Sequence, residues 1–178
     1  MKVYNLAIND LYETLAIKDF GKDNIKFLGL EKLTDEWEDK TLKVSQKGKK
    51  SDIGFCINPM QNLLITKKAR EILETHLENE DIELLPLNKG KDKYYILHGI
   101  KVYEMSHEYI KKGTKFYHQF DEKELIDLGI GDKLFFRGLF TNNVLSQLFY
   151  TEKFVELVKL YDLQGVDFEV VWDSESEP

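Results

Sequence analysis

The chain has 178 residues, of which 42% are hydrophobic and 32% charged, and its formal net charge is −7. This composition is typical of one soluble globular domain with its own core and excludes a largely disordered chain. The acidic balance disfavours a nucleic-acid partner, because binding to a phosphate backbone depends on Lys and Arg, and it favours a basic partner. We therefore interpret residues 1–173 as one domain and 174–178 as a disordered acidic tail.

The compartment is indicated by what the sequence lacks. Cys56 is the single cysteine, so no internal disulfide can form, and no Asn-x-Ser/Thr acceptor for glycosylation occurs. The start of the chain has no charged region followed by an apolar run, and no stretch of about 18 apolar residues is present. These features predict a cytoplasmic protein without a membrane partner.

The first 50 residues contain one predicted strand and two blocks of opposite charge. Val3 to Ile8 predicts a strand, and the spacing of Asp10 and Glu13 fits a capping box that opens a short helix. Blocks of like charge are usually solvated faces of a protein or a mobile connection. Ser45 to Ser51 is predicted to be a flexible loop. The functional alternative is that the acidic block, with an exposed tryptophan at its centre, is a contact surface for a partner. This acidic block consists of Asp35, Glu36, Trp37, Glu38 and Asp39.

Two stretches of the chain resemble each other. In each, a short apolar run ends at a threonine, Thr66 or Thr151, whose hydroxyl is predicted to cap a helix. Apolar residues then recur at helical spacing, and a strand with outward acidic residues follows each helix. The matched helix positions are Ala69, Ile72 and Leu73 in the first unit and Phe154, Leu157 and Val158 in the second, and the strands are 81–84 and 167–170. Duplication and convergence on a common pattern both stay open.

The segments between these units predict strands, hairpins and one further helix. Ile53 to Ile57 alternates as a strand, and a turn at 88–91 leads into a strand at 94–97. Asp121 with Glu124 predicts the start of a helix over 122–128. Two strands, 134–140 and 144–150, are expected around a tight turn. The sum predicts an α+β fold with a mixed, largely antiparallel sheet, two or three packed helices and two similar strand-helix-strand units.

A search for catalytic motifs gives no site. His107 and Glu108 begin a metalloprotease motif, but Lys111 occupies the place of its second histidine. Cys56 lies in an apolar strand, where a thiol stays protonated. His76 is predicted to be a core histidine, and Arg137 is predicted either to face outward or to pair with a strand carboxylate such as Glu169. We therefore predict no catalytic residues, no cofactor and no metal.

Short segments between residues 51 and 172 form an ordered set. The segments are Ser51–Ile53, Leu64–Thr66 with Ala69 and Leu73, Leu85–Leu87, Tyr94–Leu97, Phe136–Arg137, Phe149–Phe154, Leu163–Phe168 and Val171–Trp172. This set resembles a bacterial family that was first catalogued as a domain of unknown function and is now called the immunity-protein eleven family. The resemblance leaves the first 50 residues unplaced. It implies an antidote that is encoded beside a polymorphic toxin and binds that toxin without catalysis.

The leading hypothesis is therefore a non-enzymatic domain that binds a cognate toxin stoichiometrically. Its candidate contact surfaces are the acidic block and the end of the chain beyond Lys159, where only acidic charges remain. One alternative is a ligand-binding domain or enzyme whose polar residues converge only in three dimensions, around Arg137, His98 or His107. Another is a self-associating structural module, so a homo-oligomer stays open.

Overall fold

A computed structural model describes residues 1–20, 31–58, 62–77, 82–112, 115–140 and 147–175. Within these ranges the predicted α+β class and the largely antiparallel sheets are confirmed. The strands and helices, in chain order, are β1 Lys2–Ile8, β2 Thr14–Ile17, β3 Lys40–Gln46, β4 Ile53–Cys56, β5 Asn62–Thr66, α1 Lys67–Leu73, β6 Ile82–Lys89, β7 Asp92–Gly99, β8 Val102–Met105, β9 His107–Lys112, β10 Lys115–Phe120, α2 Glu122–Asp127, β11 Phe135–Phe140, β12 Gln147–Thr151, α3 Glu152–Leu160 and β13 Val166–Asp173.

Strands β2 to β7 form a closed barrel in the order β2-β3-β6-β7-β5-β4, and with α1 they make what we call the barrel half. Alternation along each strand sends every second side chain into the barrel. On β5, for example, Leu64 points inward, whereas Leu63 and Ile65 point outward. The interior is filled by apolar residues that include Leu15, Ile17, Leu85, Leu87 and Ile96.

The remaining elements make the open half, whose sheet has the order β13-β1-β12-β11-β8. One face of this sheet is covered by the separate β9–β10 hairpin and by α2, with Phe120, Phe136, Phe149 and Trp172 between them. The opposite face packs against the outside of the barrel. Helices α1 and α3 line this shared core, to which Phe135, Tyr150 and Phe154 belong. The two halves are thus joined by a continuous apolar layer.

The two similar sequence units fold with the same strand pairing. In the first, β5 and β6 flank β7, which runs antiparallel to both. In the second, β12 and β13 flank β1 in the same way. The likeness extends further, because β5 pairs with β4, which lies parallel to β2, while β12 pairs with β11, which lies parallel to β8. Strand β1, at the start of the chain, is therefore the central strand of the second unit, as β7 is the central strand of the first.

Only one of the two predicted threonine caps is present. The Thr66 hydroxyl accepts a hydrogen bond from the N–H of Ala69 at 3.3 Å, as predicted. The Thr151 hydroxyl instead donates to the carbonyls of Lys133 and Leu134, at 2.5 and 3.2 Å. It does so because the chain entering β11 brings those carbonyls beside it. Both helices still bury their predicted apolar faces.

Several other expectations are confirmed. Asp121 caps α2 by accepting from the N–H of Glu124 at 3.1 Å, and Gly129 follows that helix in the left-handed region. The turn between β6 and β7 lies at the predicted place, with Gly90 at a φ of 62°. The predicted β11–β12 hairpin is antiparallel. Residues 78–81, 141–146 and 176–178, on which parts of the predicted second strand, tight turn and tail fall, lie outside the described residues.

Four local expectations are wrong. Asp10 to Glu13 forms a turn and a bridge rather than a helix, and Glu13 is buried in an ion pair with Lys89. The predicted loop 45–51 begins two residues too early, because Ser45 and Gln46 belong to the end of β3. His76 is exposed, because α1 ends at Leu73 and a 3-10 turn follows. Glu83 points into the barrel rather than outward, since it lies on the same face of β6 as Leu85 and Leu87.

Candidate functional site

The acidic block lies across one end of the barrel, and its tryptophan is not the exposed anchor that was expected. Trp37 is half-buried against the barrel core, and its indole N–H donates to the carbonyl of Pro86 at 2.8 Å. The ammonium of Lys40 lies 5.0 Å from the ring centre. Four carboxylates of the block remain exposed, namely Asp35, Glu36, Glu38 and Asp39. Trp37 therefore fixes the block to the barrel, and the prediction of an exposed tryptophan is wrong.

The segment that leads into the acidic block is held in place by Glu83. One carboxylate oxygen of Glu83 accepts from the backbone N–H of Leu33 at 2.7 Å, and the other accepts from the N–H of Thr34 at 2.9 Å and from the Thr34 hydroxyl. The His98 imidazole contacts the first oxygen through Nδ1 at 2.7 Å. Leu33 is thereby seated in the barrel core. We call this arrangement the barrel latch.

Hydrogen bonds decide the charge of the latch carboxyl. Burial alone would raise the pKa of Glu83, but the Thr34 hydroxyl, His98 and the two backbone N–H groups together outweigh burial and lower that pKa. Every donor to the carboxylate comes from the protein itself. His98 is only 1% exposed. The pair that an enzyme hypothesis would select is thus closed off from solvent and serves packing.

The end of the chain presents a different acidic surface. Strand β13 is the last strand of the open sheet and pairs with β1 alone among the described strands. Asp167 and Glu169 are exposed along it, and the Val170 side chain is 49% exposed. No Lys or Arg occurs after Lys159 in the sequence. An edge strand with this composition is an accessible row of backbone groups beside negative side chains.

Helix α3 adds further carboxylates beside this strand. Glu152 and Glu156 lie four residues apart and are exposed. The pKa of Tyr4, on β1, is raised by partial burial and by the negative charges of Glu152, Asp173 and Glu156. The Tyr4 side chain is still partly accessible. We call the edge of the open sheet with Glu152, Glu156, Asp167, Glu169, Val170 and Tyr4 the acidic edge, in which Asp167 and Glu169 lie on the sheet face opposite to α3.

His107, which the enzyme alternative named, forms a pair with His118 under the β9–β10 hairpin. Nε2 of His107 lies 2.8 Å from Nδ1 of His118, and their rings pack against Phe120, with His118 also against Phe149. Burial lowers the pKa of His107 to about 4, with His118 adding to the effect, and burial lowers the pKa of His118 to about 4. Both imidazoles are neutral at pH 7. Recognition of the β9–β10 hairpin in the sequence would have indicated this contact, because the hairpin places the two histidines in cross-strand residue pairs that are adjacent on one face of the hairpin.

Arg137 lies inside the interface between the two halves. It is 9% exposed, donates to the carbonyl of Gly99 at 2.7 Å, and has its pKa lowered by burial. The predicted outward orientation is wrong. The predicted ion pair with Glu169 is also wrong, because β12 and β1 separate the strands that carry the two residues, a span of roughly 14 Å.

Neither a reactive thiol nor a metal-binding cluster occurs among the described residues. Cys56 is buried, its thiol donates to the carbonyl of Asn58 at 3.0 Å, and burial raises its pKa to about 12. Within the described part of the chain, no three His, Cys, Asp or Glu side chains lie close enough together to hold a metal ion. No helix in the described ranges is both long enough and apolar enough to cross a membrane.

Comparison with known proteins adds no identification. A scan against protein-family models finds no match, and a search of curated proteins finds no similar sequence. The resemblance to the immunity-protein family therefore remains a prediction.

Proposed function

We propose that the protein is a non-catalytic binding protein that neutralises a cognate bacterial toxin domain by stoichiometric association. The observation that carries this proposal is the acidic edge, where a strand with one unpaired side, accessible apolar groups and several carboxylates occur together. The family resemblance indicates a toxin as the partner, and the negative charge pattern indicates that this partner is basic. A basic toxin, such as one that acts on nucleic acid, would be attracted to this surface.

The acidic edge has the features of an interface rather than of an ordinary charged surface. Protein interfaces combine an apolar centre with a polar rim. Here Val170 and Tyr4 lie on the face of the sheet that carries α3 with its carboxylates, and Asp167 and Glu169 project from the opposite face of the same edge strand. Leu160, at the end of α3, is 74% exposed. The acidic block lacks a comparable apolar centre, because Trp37 is turned into the barrel. We therefore propose the acidic edge as the main contact surface and assign the acidic block a secondary, steering role.

The negative charge fits the same proposal. We further propose that the protein acts in the cytoplasm, where an antidote to an intracellular toxin meets its target. Negative surface charge accelerates association with a basic partner, and salt screens that effect over about 10 Å at 0.1 M. The charged groups would also cover the surface with which a basic toxin holds a phosphate backbone.

The test is co-expression with the toxin domain that the proposal places in the neighbouring reading frame. Cells that express the domain alone should stop growing, and cells that also express this protein should grow. Calorimetry with the two purified proteins should give one partner per chain. The association rate should fall at least tenfold between 50 and 500 mM salt. Growth arrest that this protein does not relieve, or turnover of a small molecule that is lost when one polar side chain is removed, would refute the proposal.

A further inference from the structure

We infer that β13 binds its partner as an added strand, so that a basic extended segment of the partner pairs with the free edge and continues the open sheet. The inference rests on the proposed function, because it names the binding mode of the acidic edge. Edge strands present a row of unpaired N–H and C=O groups that accept another strand. The occupant is a segment in which Lys or Arg alternates with apolar residues.

The backbone of β13 is available for such pairing on one side. Its partner β1 occupies the other side over the whole strand, from the pair Lys2–Asp173 to the pair Ile8–Val166. Among the described residues, no backbone hydrogen bond links the strand to any neighbour other than β1. Since N–H and C=O groups alternate in direction along a strand, about half of those in β13 point away from β1.

The side chains of β13 fit alternating basic and apolar residues. Asp167 and Glu169 lie on one face, and Phe168, which packs against the shared core, lies on the other with the exposed Val170. A partner residue directly opposite Asp167 or Glu169 would gain from carrying a positive charge. One opposite Phe168 would gain from being apolar. Such cross-strand pairs contribute roughly 0.2–1 kcal/mol each.

The same charges disfavour a second copy of the chain as the occupant. In an antiparallel self-pairing centred on Phe168, Glu169 of one copy would lie opposite Asp167 of the other. Like charges in directly opposed positions destabilise a sheet. Acidic residues on an edge are a known means of preventing self-association. Charge repulsion thus disfavours pairing of β13 with a second copy of itself, whereas a basic strand would be attracted to it.

The fold also limits the length of the site. The β13 register shifts at Val171, and beyond it Trp172 packs on Phe120 at the end of the hairpin, with ring centres 5.8 Å apart. At the other end, the carbonyl of Gln164 accepts from the N–H groups of Asp52 and Ile53. The accessible segment is therefore 166–170, about five residues. A strand of this length matches ordinary edge pairing.

The experiment uses the full chain and a defined peptide probe. A blocked heptapeptide of alternating Lys and Val is titrated into isotope-labelled protein and followed by NMR and by amide hydrogen exchange. The amides of residues 166–170 are expected to shift, and those that point away from β1 are expected to exchange at least tenfold more slowly. The Glu/Val peptide of the same length should bind at least tenfold more weakly.

Two variants and a modified peptide separate strand pairing from simple attraction. The double variant Asp167→Lys with Glu169→Lys should weaken binding of the basic peptide at least tenfold. The matched control, Glu122→Lys with Asp127→Lys at exposed positions of α2, changes the net charge equally and should alter binding less than twofold. If the first variant fails to fold, a peptide N-methylated at alternate residues tests the same point, because it keeps its charge and loses strand hydrogen bonds. Its binding should fall at least tenfold.

The outcomes distinguish this inference from the proposed function. Equal effects of both double variants, full binding of the N-methylated peptide, or shifts centred on 35–39 would overturn strand addition even if the protein neutralises its toxin. Slowed exchange over 166–170 that depends on Asp167 and Glu169 would support it even if growth is not rescued, and in that case the proposed function alone would fail.

Discussion

The barrel half and the open half share one scheme of strand pairing but differ in whether the sheet closes. In the barrel half, β3 pairs with β6 at Lys40 and Leu87 and closes the barrel, so no strand of the ring is left with a free side. In the open half, the hairpin β9–β10 forms a separate two-stranded sheet, and the two end strands of the open sheet, β13 and β8, each keep an edge. Similar units therefore yield a closed, latched core in one case and a sheet with open edges in the other.

This difference shows where each half holds its polar groups. The barrel half turns a carboxylate inward at Glu83 and satisfies it with backbone and imidazole donors. At the corresponding place in the second unit, Glu169 faces solvent. An inward carboxylate stabilises one arrangement of the chain, whereas an outward carboxylate leaves its charge available for a partner. Three substitutions test this contrast.

The largest effect is expected from Gly165→Ala at the junction of the halves. Gly165 has a φ of 132°, and an added Cβ would overlap the carbonyl oxygen of Ile53 and the side chain of Ser51. Overpacking and backbone strain together should reduce the free energy of unfolding by about 4 kcal/mol. Urea denaturation followed by circular dichroism measures this change.

The control for that substitution is Gly90→Ala in the barrel half. Gly90 also has a positive φ, but no atom lies within 4 Å of an added Cβ. Only the backbone strain should remain, about 1–2 kcal/mol. Equal losses in the two variants would mean that the close approach of Gly165 to β4 does not hold the halves together.

A smaller loss is expected when the barrel latch is weakened by Glu83→Gln. The amide keeps the shape of the side chain but cannot accept all four hydrogen bonds, so the variant should lose about 2–3 kcal/mol at pH 7. The folded-state pKa of Glu83 lies below its ordinary value of 4.5. The stabilisation is therefore present above that pH and lost as the pH falls through the folded pKa. Urea midpoints of both proteins should converge once the pH lies below the folded pKa of Glu83, and a gap that persists in strong acid would argue against an ionised latch.

The smallest effect at neutral pH is expected from His118→Phe in the open half. Phenylalanine fills the same space among Phe120 and Phe149, and losing the bond to His107 should cost about 1 kcal/mol. The histidines have pKa values of about 4 when folded and 6.5 ordinarily. The unfolded chain thus binds more protons between those values, and stability falls as the pH drops from 6.5 to 4.

The variant should show a shallower dependence of unfolding free energy on pH in that window, because one of the two proton uptakes is removed. The barrel latch responds only at lower pH, so Glu83→Gln should leave the slope between pH 6.5 and 4.5 unchanged. The two halves would then be distinguished by the pH at which each loosens. An identical slope in wild type and His118→Phe would show that the histidine pair does not set the acid response.

What the sequence alone determined were the features that depend on neighbours a few residues away. The caps at Thr66 and Asp121, the turn at Gly90, the apolar faces of the helices and the similarity of the two units were all predictable. Each rests on short-range hydrogen bonds, helical spacing or backbone preference, which the local sequence carries. The mixed, mostly antiparallel fold class followed from their sum.

Only the tertiary structure decided which strands meet. Several features depend on segments that lie about 30 to 170 residues apart in the sequence. They are the position of β1 between β12 and β13, the inward orientation of Glu83, the burial of Trp37 and the distance between Arg137 and Glu169. Alternation shows that a strand has two faces but does not say which face meets the core. The free edge of β13 is likewise set by what the β9–β10 hairpin leaves uncovered, and no local pattern carries that information.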